Sequence, residues 1–219
     1  MEVVVNAERT YSGIINQEEF KRRWALIKAR ILSGYSQEDL AFLLGKPPYF
    51  IRDYEDLNAS SKLALEDLEI LSVVLKNLYP EILPFDRDET GENEKRLVRG
   101  AAREIAGICY YTFTHPWTID GKNIKIVTEE KVLCVGVNTL MEINNNIYES
   151  LLNLIAEGCF NNWCRPLELF QLVNKQLNTR KASIRPSYLI PAIYKLIAEK
   201  KLKMTSDRFR FCYKVQDEE

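Results

Sequence analysis

Residues 36–45 read SQEDLAFLLG, and this stretch decides the fold predicted for the first part of the chain. Ser36 is suited to cap a helix, with Asp39 three residues later in the position that Glu usually takes. Leucines at 40, 43 and 44 supply an apolar face, and Gly45 ends the helix. The stretch therefore predicts a short, capped helix.

Another helix is predicted immediately before it. Between residues 17 and 33, apolar side chains recur at steps of four, three and four, which places them along one stripe of a helix. These side chains are Phe20, Trp24, Ile27 and Ile31. Gly34 ends this helix, and two short helices joined by a brief glycine-containing link have the outline of a helix-turn-helix.

Two further helices complete the predicted N-terminal domain. The third begins at Pro47 or Pro48, since proline is tolerated in the first turn, and runs to Leu57. The fourth follows a polar link and carries leucines at 65, 68, 71, 75 and 78, ending before Pro80. Residues 1–85 are therefore predicted to form a helical domain.

The stretch SQEDLAFLLG, followed by Ile51, Tyr54 and Glu55 and then a leucine-rich helix, resembles the XRE family of helix-turn-helix domains. This is the Cro and lambda-repressor type, and the resemblance covers roughly residues 20–78. It implies binding to double-stranded DNA, with Gln37 touching a phosphate and the third helix reading base edges in the major groove. Because the family binds paired half-sites, it also implies a homodimer.

The third helix departs from the family at its outward positions. Base reading needs hydrogen-bonding side chains, and here only Tyr49 and Arg52 are suited to it. The other outward positions hold Pro48, Phe50 and Asp53. This helix therefore either contacts DNA weakly or presents an apolar surface to a second subunit or another partner.

Charge is distributed unevenly along the chain, although the net charge is only −1. Residues 36–94 hold 5 basic and 14 acidic side chains, whereas residues 161–214 hold 12 basic and 3 acidic ones. Such asymmetry indicates a polyanionic partner for the basic segment, or docking of the acidic and basic segments on each other. Residues 86–94, DRDETGENE, are predicted to be an acidic linker between domains.

A central piece, residues 95–144, is predicted to combine a helix with a small antiparallel sheet. Apolar spacing predicts the helix from residue 94 to about residue 107. The period then changes to two, and residues 108–114, 116–120, 123–128 and 131–137 are predicted to be strands. Asp120 and Gly121 are predicted to form a hairpin turn.

The C-terminal segment, residues 145–214, is predicted to hold three helices followed by a two-stranded hairpin. Apolar side chains between 147 and 155 define the first helix, Pro166 opens the second, and Pro186 opens the third. The alternation of Phe209, Phe211 and Tyr213 with basic residues predicts the last strand. This order is similar to that of a winged helix, so the fold class is mostly α with a small antiparallel β component.

The C-terminal module is predicted to make the main contact with DNA. Its third helix presents Ser187, Tyr188 and Lys195 outward. Basic side chains before that helix and along the hairpin edge would follow the phosphate backbone; they are Arg180, Lys181, Arg185, Arg208, Arg210 and Lys214.

Other classes of function are disfavoured by what the chain lacks. It has no glycine-rich phosphate loop and no nucleophile–base motif, so catalysis and bound cofactors are not expected. Five cysteines and one histidine, His115, show no metal-ligand spacing and are expected to be reduced thiols and a packed imidazole. No apolar run is long enough to cross a bilayer, and no secretory signal is present, which predicts a cytoplasmic protein.

These observations together predict a cytoplasmic, non-enzymatic transcriptional regulator that binds double-stranded DNA as a homodimer. One alternative stays open. Both helix-turn-helix folds could serve as protein-binding surfaces of an adaptor, with the acidic part of the chain docking on the basic part.

Overall fold

A computed structural model describes residues 5–57, 62–76, 94–117, 123–131, 136–178, 184–207 and 210–216. Its helices are α1 (Gln17–Leu32), α2 (Gln37–Leu43), α3 (Phe50–Glu55), α4 (Leu65–Val74), α5 (Val137–Ala156), α6 (Pro166–Asn178), a 3-10 helix (Pro186–Tyr188) and α7 (Leu189–Ala198). Its strands are β1 (Val5–Ile15), β2 (Arg96–Ile105), β3 (Ile108–His115), β4 (Ile124–Lys131), β5 (Leu202–Asp207) and β6 (Arg210–Val215). The predicted combination of helices with small antiparallel sheets is therefore confirmed.

The chain divides into two units, each built from two separate stretches of sequence. The sheet unit comprises the described residues of Met1–Gly34 and Ile51–Cys134. The hairpin unit comprises those of Tyr35–Phe50 and Val135–Glu219. This division differs from the predicted one, in which residues 1–85 form one domain and residues 95–219 the rest; residues 86–93 of the predicted linker lie outside the described part. Within that part, no helix combines the length and the apolar character needed to cross a membrane.

The sheet unit is built on an antiparallel meander in which β1, β2, β3 and β4 are neighbours in that order. One face of the sheet is buried against a cluster that includes Phe20 and Ile27 of α1, Val98 of β2 and Phe113 of β3. From residue 8 onward, the side chains on the opposite face of the sheet are exposed or half-exposed, as expected for an antiparallel sheet that faces water on one side. The alternation seen in the sequence for β3 and β4 is thereby confirmed.

The helix predicted for residues 94–107 is wrong, because this segment forms strand β2. Its apolar spacing suits a helix, but Val98, Gly100 and Ala102 also alternate, and they lie on the buried face of a strand that pairs on both sides. Gly100 lies against the ring of Tyr11, where a Cβ atom would collide with the ring. Pairing with two strands outweighs the local helical preference.

Other differences concern strands and helix limits. Strand β1 was not predicted. Of the strand predicted for residues 131–137, residues 132–135 lie outside the described part; Lys131 is the last residue of β4 and Val137 is the first of α5. The predicted turn at residues 120–121 lies outside the described part. Helix α1 is confirmed, and α2 has the predicted cap, in which Ser36 and Asp39 form a reciprocal capping box.

An ion-pair network is buried in the sheet unit. Arg30 is fully buried, and its Nε lies 2.8 Å from Oε1 of Glu55 while its Nη1 lies 2.7 Å from Oε1 of Glu130. The hydroxyl of Tyr111 donates to the other oxygen of Glu130 over 2.7 Å. Burial opposes the charge on Arg30, but Glu55 and Glu130 outweigh it, and the pKa of Arg30 is raised. The network joins α1, α3, β3 and β4.

His115, the single histidine of the chain, packs among aromatic rings in the sheet unit. Its ring centroid lies 5.1 Å from that of Phe20 and 6.0 Å from that of Trp117. Its buried Nδ1 has no hydrogen-bond partner among the described residues. Burial lowers the pKa of His115 below the ordinary value of 6.5. The imidazole is therefore packed and neutral at pH 7.

The unfolded chain binds a proton at His115 at a higher pH than the folded chain does. The sheet unit should therefore lose stability as the pH falls through the range between the two pKa values. That loss begins near pH 6.5 and levels off below the lowered folded pKa. Denaturation of the wild type and of His115→Phe at pH 7.5 and pH 5 checks this, because the variant should show a smaller pH dependence. An NMR titration midpoint at or above 6.5 for the single histidine would contradict the expectation.

In the C-terminal part of the hairpin unit, α5 is followed by the isolated bridge at Cys164, then by α6, the 3-10 helix and α7, and finally by the hairpin of β5 and β6. Helices α5, α6 and α7 pack together, and β5 pairs with β6 in antiparallel register. Between α5 and α6, Cys164 forms an antiparallel bridge with Tyr213 of β6. Helix α2 belongs to this unit, where it packs on α6 and on the 3-10 helix. The predicted partners of α2, helices α1 and most of α3, belong to the sheet unit.

Candidate nucleic-acid interface

The outward face of the C-terminal hairpin concentrates basic side chains. Lys203 of β5 lies directly opposite Lys214 of β6, so their side chains leave the same face of the ladder. The opposite face is buried through Leu202 and Tyr213. At the Lys203–Lys214 end of the hairpin, alternation therefore places basic side chains on one face and buried apolar ones on the other. Further along the Lys214 face, Cys212 and Arg210 are buried.

The backbone around Cys164 pairs with β6 and so adds side chains from a third segment to this outer face. Both backbone hydrogen bonds of the Cys164–Tyr213 pair are formed, at 2.8 and 3.0 Å. In an antiparallel ladder this register places Trp163 beside Lys214 and Arg165 beside Cys212. The Nζ of Lys203 accordingly lies 6.0 Å from the Trp163 ring centroid. We call the surface formed by Trp163, Arg165, Lys201, Lys203 and Lys214 the basic sheet face.

The positive surface continues onto helices α5 and α7 through Tyr148. The Nζ of Lys195 lies 3.8 Å from the centre of the Tyr148 ring, and the Nζ of Lys201 lies 3.3 Å from its hydroxyl. Glu199 is the acidic member of this group: it accepts from Tyr148 over 2.6 Å and pairs with Lys201 at 2.8 Å. Hydrogen bonds from Lys201 and Tyr148 lower the pKa of Glu199. The surface thus extends from Trp163 to Lys195.

Arg185, predicted to contact phosphate, instead pairs with a buried carboxylate. Its Nη2 lies 2.6 Å from Oδ2 of Asp39, a fully buried residue of α2. The backbone N–H of Ser187 donates to the other oxygen over 3.0 Å. Burial acts to raise the pKa of Asp39, but hydrogen bonds from Ser187 and Ser36 and the charge of Arg185 outweigh it, and the pKa is lowered. Arg185 therefore ties α2 to the start of the 3-10 helix.

The other residues predicted to contact DNA in the C-terminal segment differ in how exposed their side chains are. Lys195 is exposed, as predicted, whereas Arg210 is buried. Ser187 and Tyr188 are half-buried at the start of the third helix. Arg180, Lys181 and Arg208 lie outside the described residues. The structure thus groups Lys195 with the hairpin lysines and separates Arg185 and Arg210 from them.

The predicted N-terminal contact residues do not lie in one unit. Gln37 is half-buried in the first turn of α2, and Tyr49 is exposed; both belong to the hairpin unit. Arg52 is exposed on α3 in the sheet unit, with its Nε 3.4 Å from Asp53.

Sequence reasoning missed Tyr148, Trp163 and Arg165 as members of this surface. Alternation predicts that Lys201 and Lys203 share a face, but the position of Trp163 depends on a bridge to a residue 49 positions away. The grouping also changes the charge balance, because residues 35–50 and 135–219 together hold 13 basic and 11 acidic side chains. The positive charge of the hairpin unit is therefore a local surface feature and not a property of the whole unit.

The buried thiols of the hairpin unit are unsuited to nucleophilic chemistry at neutral pH. Burial raises the pKa of Cys164 to about 12, and it also raises the pKa of Cys212. Both thiols are therefore protonated and pack as small apolar groups.

Comparison of the chain with protein-family models, with curated proteins and with solved structures finds no match in any of the three.

Proposed function

We propose that this chain is a DNA-binding transcriptional regulator whose hairpin unit contacts DNA through the basic sheet face and Lys195. The observation that carries the proposal is the pairing of Lys203 with Lys214 on adjacent strands, flanked by Lys201 and Arg165. Cationic side chains grouped on one surface attract a polyanion and favour its encounter with that surface. The helix order and the hairpin add support, since their order is similar to that of a winged helix.

The basic surface gives an estimate of how binding depends on salt. It holds five cationic side chains: Arg165, Lys195, Lys201, Lys203 and Lys214. If each neutralises one phosphate, the logarithm of the binding constant falls with the logarithm of the salt concentration with a slope of about −4.5. Affinity for random duplex DNA should then fall about 500-fold between 50 and 200 mM salt.

The double variant Lys203→Glu, Lys214→Glu should bind duplex DNA at least about tenfold more weakly at 50 mM salt and reduce the salt slope by about two. Both side chains are half-exposed, so the fold should tolerate the change. Fluorescence anisotropy with a labelled random duplex measures both quantities. The control variant Lys21→Glu, Lys28→Glu alters two exposed lysines of α1 and changes the net charge equally. Equal losses in the two variants would show that general charge, and not this surface, controls binding.

The second candidate is the protein-binding adaptor, which a different feature of the hairpin unit favours. An apolar groove in this unit is lined mainly by Phe42, Pro48, Ile190, Tyr194 and Phe211. Tyr49 and Tyr194 are each 53% exposed. Large exposed aromatic side chains beside an apolar groove are typical of protein contact sites. If the wild-type chain fails to bind duplex DNA at 50 mM salt, the adaptor becomes the better proposal.

The resemblance to the XRE family, whose members bind paired half-sites, implies a homodimer, and this stays a prediction. Sedimentation of the full chain, with and without a duplex holding two half-sites, tests it.

A further inference from the structure

Trp163 has an unusual position for a tryptophan. The residue is 46% exposed. The next residue, Cys164, forms two backbone hydrogen bonds with Tyr213. Trp163 lies in the loop between α5 and α6, at the edge of the basic sheet face. Large aromatic side chains usually gain stability from burial, so one held on a surface beside lysines is available to a partner.

The loop that carries Trp163 is anchored on both sides. Phe160 is fully buried, and its carbonyl accepts from the N–H of Val215 over 3.1 Å. Cys164 is buried and exchanges two backbone hydrogen bonds with Tyr213. The indole is therefore presented by a fixed backbone, and a stacking partner would meet a preorganised ring at a small entropic cost.

The cations around Trp163 define the chemistry of that partner. Lys203 and Lys214 stand beside it in one row of the ladder, and Lys201 lies one row further along the same face. Successive residues on one face of a strand are about 6.8 Å apart, so two cations lie beside the ring and Lys201 lies one step further along the strand. A ring for a base and neighbouring cations for a phosphate backbone are the two elements of a single-strand binding surface.

We infer that the basic sheet face binds single-stranded nucleic acid, with Trp163 stacking on an unpaired base and the lysines holding the adjacent phosphates. This inference rests on the proposed function, which assigns the same face to DNA. In a duplex the flat faces of the bases are covered by their neighbours, so an exposed indole gains little from an intact double helix. An unpaired base, in a single strand or an opened site, offers the ring a free face.

Tyr148 does not share this role, although it is the second aromatic side chain on the same surface. The ammonium of Lys195 lies 3.8 Å above its ring, and the ring hydroxyl is bonded to Glu199. Lys203 lies at 6.0 Å from the Trp163 ring and leaves nearly half of that residue exposed. Trp163 is therefore the stacking position, and Tyr148 orients lysines.

The test measures the affinity of the full chain for an oligo-dT strand of twelve nucleotides and for a duplex of the same length. Trp163→Ala should weaken single-strand binding about 10- to 100-fold and change duplex binding by less than about threefold. Trp163→Phe should retain most of the single-strand affinity, because a phenyl ring also stacks. The double variant Lys203→Glu, Lys214→Glu should weaken both.

Intrinsic fluorescence supplies an independent measurement. The chain has three tryptophans, and the other two, Trp24 and Trp117, belong to the sheet unit. Oligo-dT should quench the wild-type emission, and this quenching should disappear in Trp163→Phe although the strand still binds.

Three results would overturn the inference. Wild-type binding to the duplex but not to oligo-dT removes the single-strand inference and leaves the proposed function in place. Equal losses on both ligands in Trp163→Ala show that the side chain supports the fold and not stacking. Failure of the wild type to bind either ligand removes the proposed function and this inference together.

Discussion

Arg30→Met should lower the free energy of unfolding of the sheet unit by about 3–5 kcal/mol. Without the guanidinium, the carboxylate of Glu55 keeps its buried position and loses the partner that lies 2.8 Å away. Such a loss is a large part of the stability of a typical domain. Denaturant unfolding followed by tryptophan emission in a Trp163→Phe background reports on this unit, because its two tryptophans then supply the signal.

A matched substitution separates the buried network from a general effect of removing an arginine from α1. Arg22→Met alters the same helix, but Arg22 is half-exposed and pairs with Glu18 one turn away, so the cost should be about 0.5 kcal/mol or less. Combining Arg30→Met with Glu55→Leu should recover part of the loss, since an apolar pair leaves no unpaired carboxylate at that position. Equal costs for Arg22→Met and Arg30→Met would refute the network's role.

Asp39→Ala should destabilise the hairpin unit by about 3–5 kcal/mol. The Asp39 carboxylate is fully buried and accepts from the N–H groups of Ser36 and Ser187 and from Arg185. Its removal leaves donors from two elements without their acceptor. Hydrogen–deuterium exchange of residues 184–198 measures the effect locally. Glu38→Ala is the matched control, because this exposed neighbour lies in the same helical turn.

The same carboxylate should make the hairpin unit sensitive to acid. The pKa of Asp39 is lowered in the folded chain, so its stabilising contribution is complete above the ordinary aspartate pKa. That contribution is lost as the pH falls through the lowered folded pKa, where the carboxylate gains a proton. Asp39→Asn should be less stable than the wild type at pH 7, with a smaller further loss on acidification. An unchanged acid dependence in this variant would contradict the assignment.

Helices with strong local signals were predictable from the sequence. The capping box at Ser36 and Asp39 and the glycine after α1 act within one turn of the backbone, so they need no distant partner. Proline openings at Pro166 and Pro186 were predictable for the same reason. The beginning and end of these helices follow from neighbouring residues.

Strand β2 was not predictable, because its apolar spacing satisfies two periods. Local propensity favoured a helix, and only the presence of β1 and β3 on either side decided for a strand. The role of Asp39 was equally hidden. A helix cap is its local role, whereas its contact with Arg185 joins residues 146 positions apart.

For the candidate site, the basic character of the C-terminal segment was evident from composition. The position of Trp163 beside Lys214, and the withdrawal of Arg185 and Arg210 from the surface, depended on the bridge and on burial. Charge counted along the chain could not distinguish an arginine held by an internal carboxylate from a lysine that faces water.

The amino-acid sequence alone determined most helices, the C-terminal hairpin and the location of positive charge, because caps, periodicity and charge are properties of adjacent residues. Tertiary structure decided that α2 joins the C-terminal helices, that residues 96–105 form a strand, and which cations form a surface. Each of these outcomes depends on free energy gained between residues far apart in the chain, through strand pairing, burial and ion pairs, and no local pattern records such contacts.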